Sequence, residues 1–308
     1  MLDVIGVGTN SVDEVLQLPV ETSGIPAGGK VRIRERHFLC GGQTATVTAA
    51  CAALGLRSGY VGAFGSDEHG RLIRNALKGC GVDVRGSVDC DAPNRGAVIL
   101  VDIHGDRTVL WHRSERLKIP FTKLQSSSLQ AAVVHVDDDD PELALHAANV
   151  ARAGGAVVTS DLEHPSERLE PLIGLVSYAI FEQHLPVRLT GERDPERALR
   201  KLRRLNPGLL VITRGADGCV ALDGDTFHAS PAFGVKVVDG TGAGDVFRAG
   251  FIYALLQKWS VPEMLRFANA AAALSCTRLG AIPSVPALAE VRALLDSTQS
   301  RRDAENGR

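Results

Sequence analysis

Val237-Val238-Asp239-Gly240-Thr241-Gly242-Ala243-Gly244-Asp245-Val246-Phe247 is the stretch that decides how the rest of the chain is read. Past the glycines, Ala243, Val246, Phe247, Gly250, Phe251, Ala254 and Leu255 recur at helical spacing, so a glycine-rich turn opens a helix. Small residues let the backbone bend there with no Cβ in a ligand's way, which predicts outward-facing amides at Gly242, Ala243 and Gly244. Together with the positive end of the helix they would form an anion site. No Lys-Ser/Thr pair follows the glycines, so this is not the phosphate loop of the common nucleoside triphosphatases. Asp245 falls in the first helical turn. Its ordinary role would be a solvated helix-end charge; beside an anion hole it can instead take a proton from an alcohol while the amides hold a transferring phosphoryl group.

Outward from that loop, short β-branched runs alternate with amphipathic helices. Val4-Ile5-Gly6-Val7, Tyr60-Val61, Val133 to Val136, Ala156 to Val158, Tyr178 to Phe181 and Leu209 to Ile212 read as buried strands. Val47, Ala50, Cys51 and Leu54 mark one helix stopped by Gly55, and Leu72, Ile73, Ala76, Leu77 and Cys80 mark another. The alternation predicts an α/β fold with a doubly wound, mainly parallel sheet flanked by helices. Residues 14–36 and 95–112 break the rhythm. Each carries two alternating runs, with Lys30 to Arg34 as the second run of the first pair and a His104-Gly105-Asp106 turn inside the second. They read as a small β lid or as edge strands of the main sheet. Another hairpin, Gly218 to Leu222 with a turn at Asp223-Gly224-Asp225, precedes the glycine-rich loop. The expected division is a core of 1–12, 37–94 and 113–296, a lid of 13–36 and 95–112, and a polar, frayed tail of 297–308.

Composition narrows the function. The 308 residues are 44% hydrophobic and 23% charged, enough for a sizeable core. Lys plus Arg number 34 against 36 Asp plus Glu, and a net charge of −2 gives no general reason to bind nucleic acid or a membrane surface. The start of the chain lacks a basic leader, and six scattered cysteines show no metal-ligand spacing, so reduced thiols in a cytoplasmic protein are expected.

Asp239 to Asp245 resembles the C-terminal signature Asp-Thr-x-Gly-Ala-Gly-Asp of the PfkB (ribokinase-like) carbohydrate kinases, with Gly240 the departure. Gly41-Gly42-Gln43-Thr44-Ala45-Thr46 through Leu54-Gly55 is similar to the family's N-terminal signature. Val61 to Asp67 with Gly70, Gly81-Val82-Asp83, Thr213-Arg214-Gly215 with Gly218, and Phe267 to Ala270 leading to Gly280-Ala281 follow in the family's order. The resemblance covers nearly the whole chain.

It implies an ATP- and Mg²⁺-dependent kinase that phosphorylates a hydroxyl of a small sugar, with Asp245 as base and Gly242, Ala243 and Gly244 as anion hole. Asp13, Gly41, Gly42, Gln43, Thr46 and Asp139 would meet the sugar, while Thr213, Gly215, Gly218 and Asn269 would line the nucleotide. A homodimer through the lid is implied too. The departures are as informative. Thr46 stands where an Asn is usual, and of the family's Asn-x-x-Glu motif only Glu182 offers a partial substitute near the metal. Gly240 puts potassium at the Asp239 loop in doubt. Arg32, Arg34 and Arg36 at period two would grip an anionic sugar or simply face solvent or a second subunit. Asp140 should cap the helix after it. A carboxylate at Asp139, with no neighbouring arginine in the sequence, favours a neutral polyol over a phosphosugar, and Arg188 to Gly191 and Leu274 to Arg278 are most similar to the ketohexose and sulfofructose kinase branch. The alternatives are a kinase for a nucleoside or sugar phosphate, a non-catalytic sugar or nucleotide sensor, or a nicotinamide enzyme built on Gly6-Val7-Gly8.

Overall fold

The computed structural model describes residues 1–104 and 106–306, without the side chains of 107, 126 and 299–306. In chain order the first part contains β1 (Leu2–Val7), β2 (Ser11–Gln17), β3 (Glu35–Gly41), α1 (Gln43–Ala53), β4 (Ser58–Val61), β5 (Ala63–Gly65), α2 (Glu68–Gly79), β6 (Val88–Cys90), β7 (Gly96–Val101) and β8 (Arg107–His112). Then come β9 (Ala131–Asp137), α3 (Pro141–Ala153), β10 (Val157–Asp161), α4 (Leu169–Leu175), β11 (Tyr178–Glu182), α5 (His184–Thr190), α6 (Pro195–Leu202) and β12 (Leu209–Thr213). The chain closes with β13 (Cys219–Asp223), β14 (Thr226–Ser230), α7 (Ala243–Leu256), α8 (Val261–Ser275) and α9 (Leu288–Asn306).

The main sheet runs β14-β13-β12-β11-β10-β9-β1-β4; it is parallel from β4 to β12 and ends in the antiparallel hairpin β13–β14. Alternate residues of each strand feed opposite faces. Val134, Val136 and Val158 pack with Leu143, Ala147 and Leu172 of α3 and α4. Val4, Val133, Ile180 and Val211 pack with Val47 of α1, Phe251 of α7 and Phe267 of α8. Burial on both faces is why these strands read as continuous apolar runs. Beyond Gly6-Val7-Gly8 the chain enters strand β2, not a helix, so the helix N-terminus that a dinucleotide cradle requires is missing. Among the described residues no helix is long and apolar enough to cross a membrane, and all six cysteines are unpaired thiols.

A separate four-stranded sheet, β3-β2-β7-β8, pairs β2 with β7 in parallel and its outer strands antiparallel. The pair at 96–112 forms as expected, although Gly105 of its turn lies outside the described residues. The expected strand at Lys30 to Arg34 does not form. Pairing begins at Ser11↔Gly41 and ends at Gln17↔Glu35, with Arg34 N donating to Gln17 O as the last bond. Pro19 offers no donor to carry the ladder further. Only Arg36 of the three expected arginines therefore lies on a strand, where its Nε donates to Glu14 at 2.7 Å. The side chain of Arg107, on β8, is outside the described residues. No Gly or Pro interrupts the stretch from Leu288, and α9 continues to Asn306, into the expected polar tail; residues 307 and 308 lie outside the described residues.

Candidate active site

Parallel strands send their C-terminal ends to one edge, and a doubly wound sheet opens a crevice there. At this edge β9 ends in Asp137, β10 in Asp161, β11 in Glu182 and β12 in Thr213. A cleft of about 870 Å³ extends across it from Gln43, past Gly242 to Asp245, to Asn269.

Gly242 is the N-cap of α7 at φ +79°, and a Cβ on it would lie 2.8 Å from the Ala281 Cβ and 3.4 Å from Thr46 Cγ2. Only glycine fits both the backbone and the space. The first helical bond runs from Val246 N to Gly242 O, so the amides of Gly244 and Asp245 precede it and have no acceptor within the helix. Ala243, expected among the outward-facing amides, instead donates to Gly240 O at 3.2 Å, because the turn before the helix is tight. Asp239 ties the loop down: its Oδ1 accepts from Thr241 N at 3.0 Å and Thr241 Oγ1 at 2.7 Å, and its Oδ2 from Gly280 N at 2.9 Å. One oxygen thus serves the loop's own donors and the other ties the loop to the chain beyond α8.

Asp245 is 9% exposed at the floor of the cleft. Burial pushes its carboxyl well above the usual range, Arg248 opposes this, and Glu163 and Asp137 add to it.

On the other side of Asp245 the chain converges from three loops. Gly42 has φ +96°, and a Cβ there would sit 2.4 Å from the Asn10 Cα, so the start of α1 presses against the β1–β2 connection. Asn10, which the sequence did not single out, is buried; its Nδ2 donates to Tyr60 Oη and to Ala63 O, each at 2.8 Å. Asp137 Oδ2 accepts from Thr9 N at 2.7 Å, Thr9 Oγ1 at 2.8 Å and Thr44 Oγ1 at 2.7 Å, binding β1, α1 and β9 together. Asp13 lies on β2, its carboxyl pushed up by burial against the opposing pull of the Ser11 side chain, Arg95 and the Ala97 amide. Gln43 Nε2 and Thr46 Oγ1 are buried without a hydrogen-bond partner, as groups facing a ligand would be. Gly41 adjoins them, a Cβ there lying 3.4 Å from the Ala281 Cβ.

Asp139 differs from expectation. Although its sequence neighbours hold no arginine, the side sheet delivers two: Arg95 Nη1 lies 2.5 Å from Oδ1 and Arg113 Nη1 2.5 Å from Oδ2. Arg113 also reaches Asp140 at 3.2 Å, while the Asp140 Oδ1 caps α3 through Leu143 N. Folding joins residues that sequence spacing keeps apart.

At the far end of the cleft, Thr213, Gly215 and Gly218 line the wall, with Thr213 Oγ1 donating to Phe181 O at 3.2 Å. Asn269 lines it too, but its Nδ2 is spent on Ser230 O at 3.0 Å and Pro231 O at 3.2 Å, fixing the exit of β14. Glu182 lines the cleft, as does Glu163, and its Oε2 accepts from His184 N at 2.8 Å. Asp161, Glu163 and Arg248 also went unnoticed in the sequence. The one available signal was Arg248 three residues past Asp245, on the same helical face.

Comparison with known proteins agrees with this geometry. Residues 10–288 match the profile of the pfkB family carbohydrate kinases. The chain is 31% identical over 287 residues to fructokinase-1 of Oryza sativa subsp. japonica, covering 83% of this chain and 88% of the relative. It is 30% identical over 276 residues to the ATP-dependent ribose-1-phosphate kinase of Halopiger xanaduensis, covering 87% and 90%. Among solved structures, Arabidopsis thaliana ribokinase complexed with ribose and ATP superposes with a TM-score of 0.82 at 25% identity, over 96% of this chain and 98% of that one. Thermotoga maritima ribokinase does so with a TM-score of 0.81 at 26% identity, over 96% and 100%. Superposition of the fold on ribokinases and a profile match that spans residues 10–288 lead to one assignment: the chain belongs to the pfkB family of carbohydrate kinases.

Proposed function

We propose that the protein is an ATP-dependent carbohydrate kinase that transfers the γ-phosphoryl group to a hydroxyl of a small sugar. The observation that carries this reading is the buried Asp245 carboxyl in the first turn of α7, beside the unbonded amides that open the same helix. The amides offset charge on the migrating phosphoryl group, and Asp245 receives the proton of the attacking alcohol; together these supply the positioning and neutralisation that phosphoryl transfer needs. Asp13, Asp139 and the Gly41-Gly42 turn would hold the sugar, and Thr213, Gly215, Gly218 and Asn269 would border the nucleotide. The side sheet would act as a lid that keeps water, a competing acceptor, away from the phosphorus.

Magnesium fits the residues present. Among the described residues no three His, Cys, Asp or Glu side chains form a cage, but Glu163 and Glu182 both face the cleft. Mg²⁺ is commonly held by one or two carboxylates together with substrate phosphates, and would neutralise phosphate charge when bound. Val109, Leu110 and Trp111 of β8 are 51%, 58% and 69% exposed, an apolar strip that supports pairing of two lids in a homodimer. The free thiols accord with a reducing, cytoplasmic setting.

The related proteins act on different acceptors, among them fructose, ribose 1-phosphate and 5-dehydro-2-deoxygluconate by their names, so the acceptor is a matter for assay. A coupled ADP-release screen over these three, D-ribose and nucleosides should reveal acceptor-dependent ADP formation. Asp245→Asn should keep ATP and sugar binding while losing roughly a thousandfold in kcat. Near-normal turnover in that variant would overturn the assignment.

A further inference from the structure

A second charged cluster lies beneath the phosphate cradle. Arg248, one turn beyond Asp245 on α7, is 1% exposed, and its guanidinium touches Asp161, which is fully buried at the end of β10. Glu163 Oε1 lies 3.8 Å from the same nitrogen. A Cβ on Gly244 would come within 2.7 Å of Arg248 Nη1, so the guanidinium passes directly under the helix start that holds the amides. Arg248 Nε and Nη2 and both Asp161 oxygens lack a well-aligned hydrogen bond. The contact is therefore chiefly one of charge and packing.

The charged surroundings of Asp245 are acidic from two strand ends and basic from its own helix. The β9 end brings Asp137 and Asp138, the β10 end brings Asp161 and Glu163, and α7 brings Arg248. His135 on β9 adds no charge, because burial and the nearby Arg248 push its pKa down to about 3. His164 is engaged with Asp138, its ring nitrogen 3.1 Å from Oδ1. Thr44 of α1, which donates to Asp137, is uncharged. Carboxylates crowded into a low-dielectric site retain a proton unless a cation offsets them, and a protonated base cannot accept another.

We infer that Arg248 is a positioning residue for Asp245: seated under Gly244 on the same helix and anchored by Asp161, its guanidinium offsets the acidic cluster around the base. The inference rests on Asp245 being the base. Its test is independent of any sugar. In full-length protein labelled with ¹³C at aspartate carboxyls, the Asp245 resonance is identified by its loss in Asp245→Asn and followed through a pH titration. Arg248→Met should raise its midpoint by about one unit, and Arg248→Lys, which keeps the charge, should restore at least half of that shift. Should Arg248→Met not fold, Arg248→Gln, which removes the charge but keeps a polar group in the same space, should raise the midpoint in the same way. In turnover assays the acid limb of kcat/KM should move upward in the same order. An Asp245 midpoint unchanged in a folded Met variant overturns the role of Arg248 and leaves the base intact. Retained turnover in Asp245→Asn overturns the base itself.

Discussion

Asp161 and Asp139 each stand at or just beyond the end of a central strand, and each meets arginine, yet their surroundings are opposite. Asp161 and Arg248 are sealed from solvent, 0% and 1% exposed, between β10 and α7. Asp139 is gripped by Arg95 and Arg113, whose side chains remain 25% and 23% exposed where the lid meets the core. The buried pair joins two elements of a rigid core and lies below the reacting groups. The open cluster joins the lid to the core and lies where a sugar would enter. The same pair of functional groups therefore acts as a fixed charge in one place and as an adjustable contact in the other.

Four experiments would break or sharpen that contrast. The largest stability effect should come from Arg248→Met, because stripping one partner from a buried ion pair leaves an uncompensated charge; a loss of about 3–5 kcal/mol is expected in urea unfolding. Asp139→Asn should raise the sugar KM by about tenfold, as one hydrogen bond to a charged group is weakened, with little change in the KM for ATP; equal loss for both ligands would remove Asp139 from the sugar site. Arg113→Met should cost about 1 kcal/mol or less in the same unfolding assay, since Arg95 still holds Asp139 and solvent screens the remainder. Smallest of all, moving from about 0.05 to 0.5 M NaCl should weaken sugar binding measurably through the open cluster while leaving the Asp245 titration midpoint almost unmoved.

The contrast also shows what a sequence displays. Strands such as Val133 to Val136 announce themselves because both their faces are buried, and the loop from Asp239 to Asp245 because its chemistry is written in consecutive residues. The Arg113–Asp139 pair was hidden because its partners lie 26 positions apart and meet only once the side sheet has docked. Asp161 was hidden for another reason: an acidic residue closing the run Val157–Asp161 is ordinary until α7 places Arg248 against it. The lid strand was misplaced by local alternation at Lys30 to Arg34, which looks extended, whereas the pairing that makes a strand was fixed from Ser11↔Gly41 and stopped before Pro19. Periodicity reports which face is apolar. It does not report which partner is within reach.

The parallel pairing of β2 with β7 means that the lid is sewn from two separate lengths of chain, with α1, β4, β5, α2 and β6 lying between them in sequence. The backbone thus passes between lid and core four times, next to Asn10, Gly42, Arg95 and Arg113. Each of those crossing points touches or adjoins the groups assigned to the sugar. If the side sheet is the proposed lid, hinge and proposed sugar surface are the same few residues: it would not swing without reshaping that surface, nor could it be grafted onto another enzyme as a single cassette.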